Sequence, residues 1–372
     1  MSLSTTAGPR LAPTFEVRRS DTAASIAERT AVLEAPVFGA TFSDHMVLVD
    51  WTADRGWHHP RVTALAPLSL HPAAAVLHYG QEIFEGLKVY RHPDGALRTF
   101  RPTANAARFR QSARRLAMPE LPEDLFVESI EQLVEVDSAW VPSRPGESLY
   151  LRPFLIATEA FLGVRPAEAA TYGVIASPTG AYFDTGAGGV RLWLSTTYSR
   201  AGRGGTGAAK CGGNYAASLI AQLEAKEHGC QQVLFADAAS RQYVEEAGSM
   251  NVFLVLDNTV ITPPTHGTIL EGVTRDSVLQ LADALGYRTE TRPVSIEEWR
   301  SAAEAGRLTE VFASGTAAVI TPIAELVGDN VAIRTPVAGM GPVAAALHAE
   351  LTGIQYGTRP DRFGWMHTLQ AR

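Results

Sequence analysis

The stretch AGRGGTGAAKCGGNY, Ala201–Tyr215, decides between several folds. Gly202, Gly204 and Gly207 satisfy G-x-G-x-x-G, the spacing of a dinucleotide-binding turn. That reading needs a helix opening on the third glycine and an acidic residue about 20 positions on, at the end of a second strand. No helix clearly opens on Gly207, the segment sits mid-chain, and the acidic residue is missing. A phosphate-loop reading fails as well. Ala208 stands where lysine must directly follow glycine, and Cys211 follows Lys210 in place of serine or threonine. The glycines are read as shaping a loop.

What that loop presents is Lys210, flanked by Ala208, Ala209, Gly212 and Gly213. Small neighbours let a flat group approach the backbone closely. Tyr215, five residues on, can donate or accept a hydrogen bond beside the amine. A lysine in a tight, partly apolar site has its ammonium form disfavoured, which suits imine formation. Composition narrows the choice further. Of 32 basic residues only Lys88, Lys210 and Lys226 are lysine, leaving 32 − 3 = 29 arginines, which do not release a proton near neutral pH. Lys226 falls on the polar face of a helix (QLEAKEHG), and Lys88 adjoins a strand that bears Phe84 and Tyr90.

The 372 residues amount to two or three domains at about 150 residues each. Hydrophobic residues at 46% and charged residues at 19% describe a globular chain. A net charge of −7 gives no basic field, so neither nucleic acid nor a membrane surface is expected as a partner. No apolar run approaches the roughly 18 residues of a spanning helix, and the N-terminus lacks an apolar signal core. Two cysteines, Cys211 and Cys230, make neither a disulfide framework nor a zinc site, and no metal is expected. The expectation is a cytoplasmic two-domain protein.

Along the chain, Asp21 is read as the N-cap of a short helix ending near Leu33. HMVLVDW and AVLHYG read as strands, then two helices follow, from about Thr103 to Ala117 and after Pro122. The second puts Phe126, Ile130, Leu133 and Val134 on one face. SLYLRPFLIAT and YGVIASP are strand-like, and Gly180–Gly189 is the linker candidate. Beyond it come the strand VRLWLSTTY, a helix from about Asn214 to His228, and the strands QQVLFAD and YVEEAGSMNVFLVLD. Helices near Val273–Leu285, Ile296–Ala305 and Pro342–Gly353 frame the strand-like VFASG and TAAVITPI. This is a mixed α+β pattern, α/β in the broad sense, with a smaller domain over 1–179, a linker over 180–189 and a larger domain over 190–372.

Adjacent Glu245 and Glu246 point to opposite faces of a strand, so one faces inward. A protonated ring nitrogen would partner an inward carboxylate; so would one of the arginines. Gly272, Val273 and Thr274 open a helix whose free N–H groups and dipole attract phosphate. The ASGTAAV turn, Ala313–Val319, offers a further set of N–H groups and a hydroxyl, and Arg108 can add a charge-assisted contact.

Taken in order, HYGQEIFEGLKVYR, SLYLRPFLIATE, AAKCGGNYAAS, EEAGSMNVF, ILEGVTRDS and the ASGTA turn resemble the branched-chain amino acid aminotransferases, fold type IV (class IV) enzymes that use pyridoxal 5′-phosphate. The resemblance runs from about Phe38 to Trp365. It implies a two-domain fold whose larger C-terminal domain carries a pseudo-barrel sheet. Lys210 matches the lysine that carries the cofactor as a Schiff base, Tyr215 the tyrosine on its phenolic oxygen, and Glu246 the acid on its ring nitrogen. Arg108, Val273, Thr274 and Thr316 match the phosphate ligands, Leu270 packs on the ring, and Ser249 and Gly272 complete the cofactor set. Phe38, Tyr79, Phe84, Tyr150 and Tyr182 match pocket aromatics. Arg152 matches the arginine that holds the side-chain carboxylate of glutamate, and Lys88 a basic residue nearby. The Thr316–Ala317 turn would receive the substrate α-carboxylate. Val164, of the Leu162–Val164 segment, would reach a neighbouring subunit's site, which implies a homodimer.

The activity implied by this resemblance is a ping-pong exchange of the amino group between leucine, isoleucine or valine and 2-oxoglutarate. Relatives from mammals carry Cys-x-x-Cys after the position of Thr316; this chain has Ala318, Val319, Ile320 and Thr321, so no thiol switch is expected there. The alternatives are a D-amino acid transaminase or aminodeoxychorismate lyase on the same fold, and an NAD-dependent oxidoreductase using the three glycines.

Overall fold

The computed structural model describes residues 14–180, 188–337 and 339–369. Two nine-stranded sheets carry the chain, and the change from one to the other falls between Thr179 and Val190. Most of the expected linker, and Tyr182 within it, lies outside the described residues.

The first sheet is built largely from antiparallel neighbours. His45–Thr52 (HMVLVDW plus Thr52) sits between Gly56–Ala64 and Ala169–Thr179, and Ala169–Thr179 pairs along ten residues with Ser148–Ala157. Two helices cover this sheet, Pro102–Arg115 and Glu123–Asp137. The second buries Phe126, Ile130, Leu133 and Val134, the face its spacing predicts. Phe126 meets Phe109 and Tyr172 at ring-centroid separations of 5.5 and 6.2 Å, and the buried Tyr172 hydroxyl finds Ser129 Oγ at 2.8 Å. Each such ring contributes about 1.5–3 kcal/mol through its burial.

The second sheet closes on itself. Val244–Ala247, Gln232–Ala236, Val190–Ser195, Val319–Gly328, Leu308–Gly315 and Met250–Leu256 follow one another, and Met250–Leu256 pairs back onto Val244–Ala247. This six-stranded ring is the barrel-like sheet of the expected fold class. The run MNVFLVL is buried at every position because both of its faces are covered. Val252 and Leu254 pack with Trp299. Phe253 and Val255 pack outward on Val278 and Leu281 of one helix and Leu347 and Leu351 of another. The last strand, Met366–Leu369, returns to the first sheet and pairs antiparallel with Leu97–Phe100.

Four local expectations change. The first helix is Ile26–Glu34, capped by Ser25 in a reciprocal capping box with Glu28, which satisfies two backbone donors where Asp21 would satisfy none of them. AVLHYG is a helical turn, Ala75–Tyr79, closed by left-handed Gly80, and not a strand. The helix expected over Asn214–His228 is two helices, Gly212–Ala216 and Leu219–Glu227. Ser218 Oγ donates to the Tyr215 carbonyl at 2.7 Å at the break between them. YVEEAGSMNVFLVLD is a hairpin, Val244–Ala247 and Met250–Leu256, turning at Gly248 with φ +59°.

Candidate active site

A cavity of about 460 Å³ opens between the two sheets. Lys210 stands in its wall, held by its own backbone. Its N–H donates to Ser112 Oγ at 2.9 Å, and its carbonyl accepts from Phe84 N–H at 2.9 Å. Its Nζ donates to the Tyr215 hydroxyl at 2.6 Å and lies 4.7 Å from the centre of the Phe84 ring. Gly207 makes this loop possible, since a Cβ there would lie 2.4 Å from the Thr268 carbonyl oxygen. Gly202–Gly207 forms turns between a strand and Lys210, and the next helix opens at Gly212. The dinucleotide geometry is therefore absent from this segment.

At one end of the cavity, Gly272 is the N-cap of the helix Val273–Ala284, whose first-turn N–H groups have no partner within the helix. Arg108 lines the same end. Its Nε and Nη2 donate to Glu85 Oε1 and Oε2 at 2.7 and 2.8 Å, and its Nη1 donates to the Glu271 carbonyl at 3.0 Å. Of about five guanidinium N–H donors, two remain for an anion. Glu85 also accepts from Asn105 at 2.8 Å. Its burial would push the carboxyl pKa up, but the charge and hydrogen bonds of Arg108 hold it below the usual range. Thr316 completes this end. The turn that bears it ends at Val319 with φ +57°, a left-handed conformation that costs a β-branched residue about 1–3 kcal/mol.

Glu246 is buried on the strand Val244–Ala247, beneath Leu270. Its Oε1 accepts the Leu270 N–H, and its Oε2 pairs with Arg200 Nε at 2.9 Å. Burial raises its pKa and Arg200 pulls it back. The arginine partner that the local sequence left open is therefore present, and the carboxylate's remaining lone pairs leave room for a further donor.

The third wall is aromatic and cationic. Phe38 and Tyr150 pack edge to face at 4.8 Å, and Arg152 lies over Phe84 at 4.8 Å with its Nη2 donating to the Tyr150 hydroxyl at 3.1 Å. Gly86 admits that hydroxyl, because a Cβ there would lie 1.9 Å from it. Ser249, Leu270 and Ala317 also line the cavity. Arg152 Nε, Gln232 Oε1 and Ser314 Oγ belong to lining residues and are buried without hydrogen-bond partners among the described residues. Lys88 sits just behind. Its Nζ donates to the Ala317 carbonyl at 3.1 Å, and burial lowers its pKa to about 8. Tyr79 and Val164 do not line the cavity: Tyr79 donates its hydroxyl to the Leu162 carbonyl, and Val164 is 87% exposed. Glu85, Arg200, Gln232 and Ser314 were not singled out from the sequence. Only Glu85 carried a signal, as a charge next to Gly86 in the FEGLK segment. Among the described residues no cluster of His, Cys, Asp or Glu could hold a metal.

An amine and a cationic anion cradle line one cavity, and the buried Glu246 carboxylate sits behind its Leu270 wall, a set that suits a phosphorylated, ring-nitrogen aldehyde. Residues 82–326 match the family described as amino-transferase class IV, and the chain belongs to that family. A branched-chain-amino-acid aminotransferase of Mycobacterium tuberculosis is 53% identical over 360 residues, covering 95% of this chain and 98% of its own. A probable branched-chain-amino-acid aminotransferase of Streptomyces coelicolor is 53% identical over 358 residues, covering 96% and 99%. Among solved structures, the branched-chain amino acid aminotransferase from Escherichia coli superposes with TM-score 0.71 at 27% identity, covering 88% of this chain and 99% of that one. Class IV aminotransferases depend on pyridoxal 5′-phosphate, and the chemistry present suits such a group: N–H donors at Gly272–Thr274 and Arg108 would meet a phosphate, the buried Glu246 a protonated nitrogen, and Lys210 beside Tyr215 an aldehyde. No helix among the described residues is long and apolar enough to cross a membrane.

Proposed function

We propose that the chain exchanges the amino group between leucine, isoleucine or valine and 2-oxoglutarate, as a branched-chain amino acid aminotransferase. The observation that carries the reading is the position of Lys210 Nζ, 2.6 Å from the Tyr215 hydroxyl, in the wall of a cavity with Arg108 and a helix N-terminus at one end. Pyridoxal phosphate supplies an aldehyde that bonds to amines and a ring that accepts electrons from the substrate. Lys210, through its Nζ, is the residue that would hold that aldehyde. Once displaced by the incoming amino acid, its free Nζ would take the proton from the substrate Cα and deliver it to the carbon that bore the aldehyde, so the proton lost at one carbon is gained at the other. Tyr215 steadies Nζ and the phenolic oxygen, and Glu246, backed by Arg200, keeps the ring nitrogen protonated. Arg108, Val273, Thr274 and Thr316 bind the phosphate, with Ser249, Leu270 and Gly272 around the ring.

Phe38, Phe84 and Tyr150 give a branched aliphatic side chain an apolar wall, and Arg152 receives the side-chain carboxylate when glutamate takes its place. Ala317 offers its N–H to the α-carboxylate, and Lys88 holds that turn from behind. We further propose a cytoplasmic homodimer with domains over 1–179 and 190–372. Leu162 and Val164 are 61% and 87% exposed, and Leu219, at the cavity rim, is 59% exposed, so a partner covering these residues would finish the site.

The test is borohydride reduction of the yellow protein followed by peptide mapping, then assay with both enantiomers of leucine. Bleaching with the label on Lys210, and turnover of L-leucine alone, are expected. Label elsewhere, or preference for D-leucine, overturns the reading, the second result in favour of a D-amino acid transaminase.

A further inference from the structure

Successive side chains of a strand point to opposite faces, so Glu245 turns away from the cofactor end that Glu246 serves. It turns into a second cavity of about 620 Å³ that shares no lining residue with the first. Pro263, Pro264, Ile269 and Tyr243 make one side of it apolar. Glu245 is 9% exposed and accepts from Thr268 Oγ1 at 2.6 Å, while its Oε2 has no hydrogen-bond donor among the described residues. The other carboxylate in the lining, Asp237, is committed to its own loop: it accepts from the Ser240, Gln242 and Tyr243 N–H groups at 2.7, 2.9 and 2.9 Å. Arg203 is exposed, close enough for its charge to act on Glu245, and has no hydrogen bond or ion pair with another described residue.

A buried carboxylate with a free oxygen, an uncommitted guanidinium and an apolar floor are three complementary halves of contacts. We propose that this second cavity binds an α-amino acid with an apolar side chain. Its ammonium would sit on Glu245 Oε2, its carboxylate on Arg203, and its side chain against Pro263, Pro264 and Ile269. The site is separate from the transaminating one and does not depend on which amino acids react there. It is wired to it, however. Arg200 donates through Nη1 to the Thr268 carbonyl at 2.9 Å and pairs through Nε with Glu246 at 2.9 Å, and Leu270, two residues beyond Thr268, donates to the same Glu246.

The experiment is equilibrium dialysis of L-leucine against borohydride-reduced holoenzyme, in which Lys210 can no longer exchange. One leucine per chain is expected. Glu245→Gln and Arg203→Ala should each weaken it about tenfold or more, the loss of a charge-assisted contact. Phe84→Ala, which removes part of the apolar wall of the first cavity, should leave it unchanged. Arg203 and Ala239 are exposed, so Arg203→Ala and a cavity-filling Ala239→Trp test the site without threatening the fold. Absence of binding overturns the proposal. So does binding that Phe84→Ala weakens and Glu245→Gln does not, or equal affinity for 4-methylpentanoate, which lacks the ammonium.

Discussion

Glu85 grips Arg108 at two points, Nε to Oε1 and Nη2 to Oε2, at 2.7 and 2.8 Å, with neither side chain more than 8% exposed. The pair fixes the plane of a guanidinium that lines the cavity, and it has no water to fall back on. Its strength comes from geometry, because burying two charges is itself costly.

Replacing one partner should therefore be severe. Glu85→Gln is expected to lower stability by about 3–5 kcal/mol at pH 7 and to weaken pyridoxal phosphate binding. The wild type should also lose stability on acidification. A carboxyl held below its ordinary 4.5 stabilises the fold above that pH and ceases to do so as pH falls through the lowered value. Urea unfolding of both proteins at pH 7 and pH 4 checks this; equal midpoints at pH 7 would refute it.

Lys88 also makes stability rise with pH, but as a penalty relieved: its charged form costs stability, where the Glu85 carboxylate adds to it. Burial lowers its pKa from 10.5 to about 8, so the unfolded chain binds the extra proton between those values. Stability should rise as pH climbs from 8 to 10.5, and the charged form should cost on the order of 3 kcal/mol below 8. Lys88→Met removes that slope. Denaturation midpoints at pH 7 and pH 10 decide the matter, and a variant that keeps the wild-type slope contradicts the assignment.

Arg152 should separate the two substrates. Arg152→Met is expected to raise KM for glutamate and 2-oxoglutarate about 10- to 100-fold and to change KM for leucine far less. Steady-state kinetics with each substrate varied in turn provide the test. An equal loss for both would assign Arg152 to a contact common to them.

Oxidants should leave activity intact through this turn. Ala318–Thr321 offers no thiol, and Cys211 and Cys230 are both buried. Diamide followed by dithiothreitol is the assay; a reversible loss of turnover contradicts the expectation.

Much of this site could be read in one dimension because its parts are local. Lys210 and Tyr215 lie five residues apart, and the Gly272–Thr274 helix start carries its own signature. The face Phe126, Ile130, Leu133 and Val134 follows from helical period alone. Other parts depend on partners that are distant along the chain. Arg108 meets Glu85 across 23 residues, and Glu246 meets Arg200 from the loop that follows the strand Val190–Ser195. The break at Ser218 and the hairpin at Gly248 were missed because one hydroxyl and one left-handed glycine outweigh an otherwise continuous pattern. The seam between Val244–Ala247 and Met250–Leu256 that closes the ring is set by tertiary packing, which no window of residues reports.

The strand Met366–Leu369 has a consequence for how the protein is made. It covers Leu97–Phe100 at the border of the first sheet, yet it leaves the ribosome after every other strand of either sheet. Until then that border is an unpaired edge, open to pairing with other nascent chains. A fragment ending near Thr179 would keep it open permanently, so the two halves cannot be expressed apart without exposing a seam that the whole chain hides.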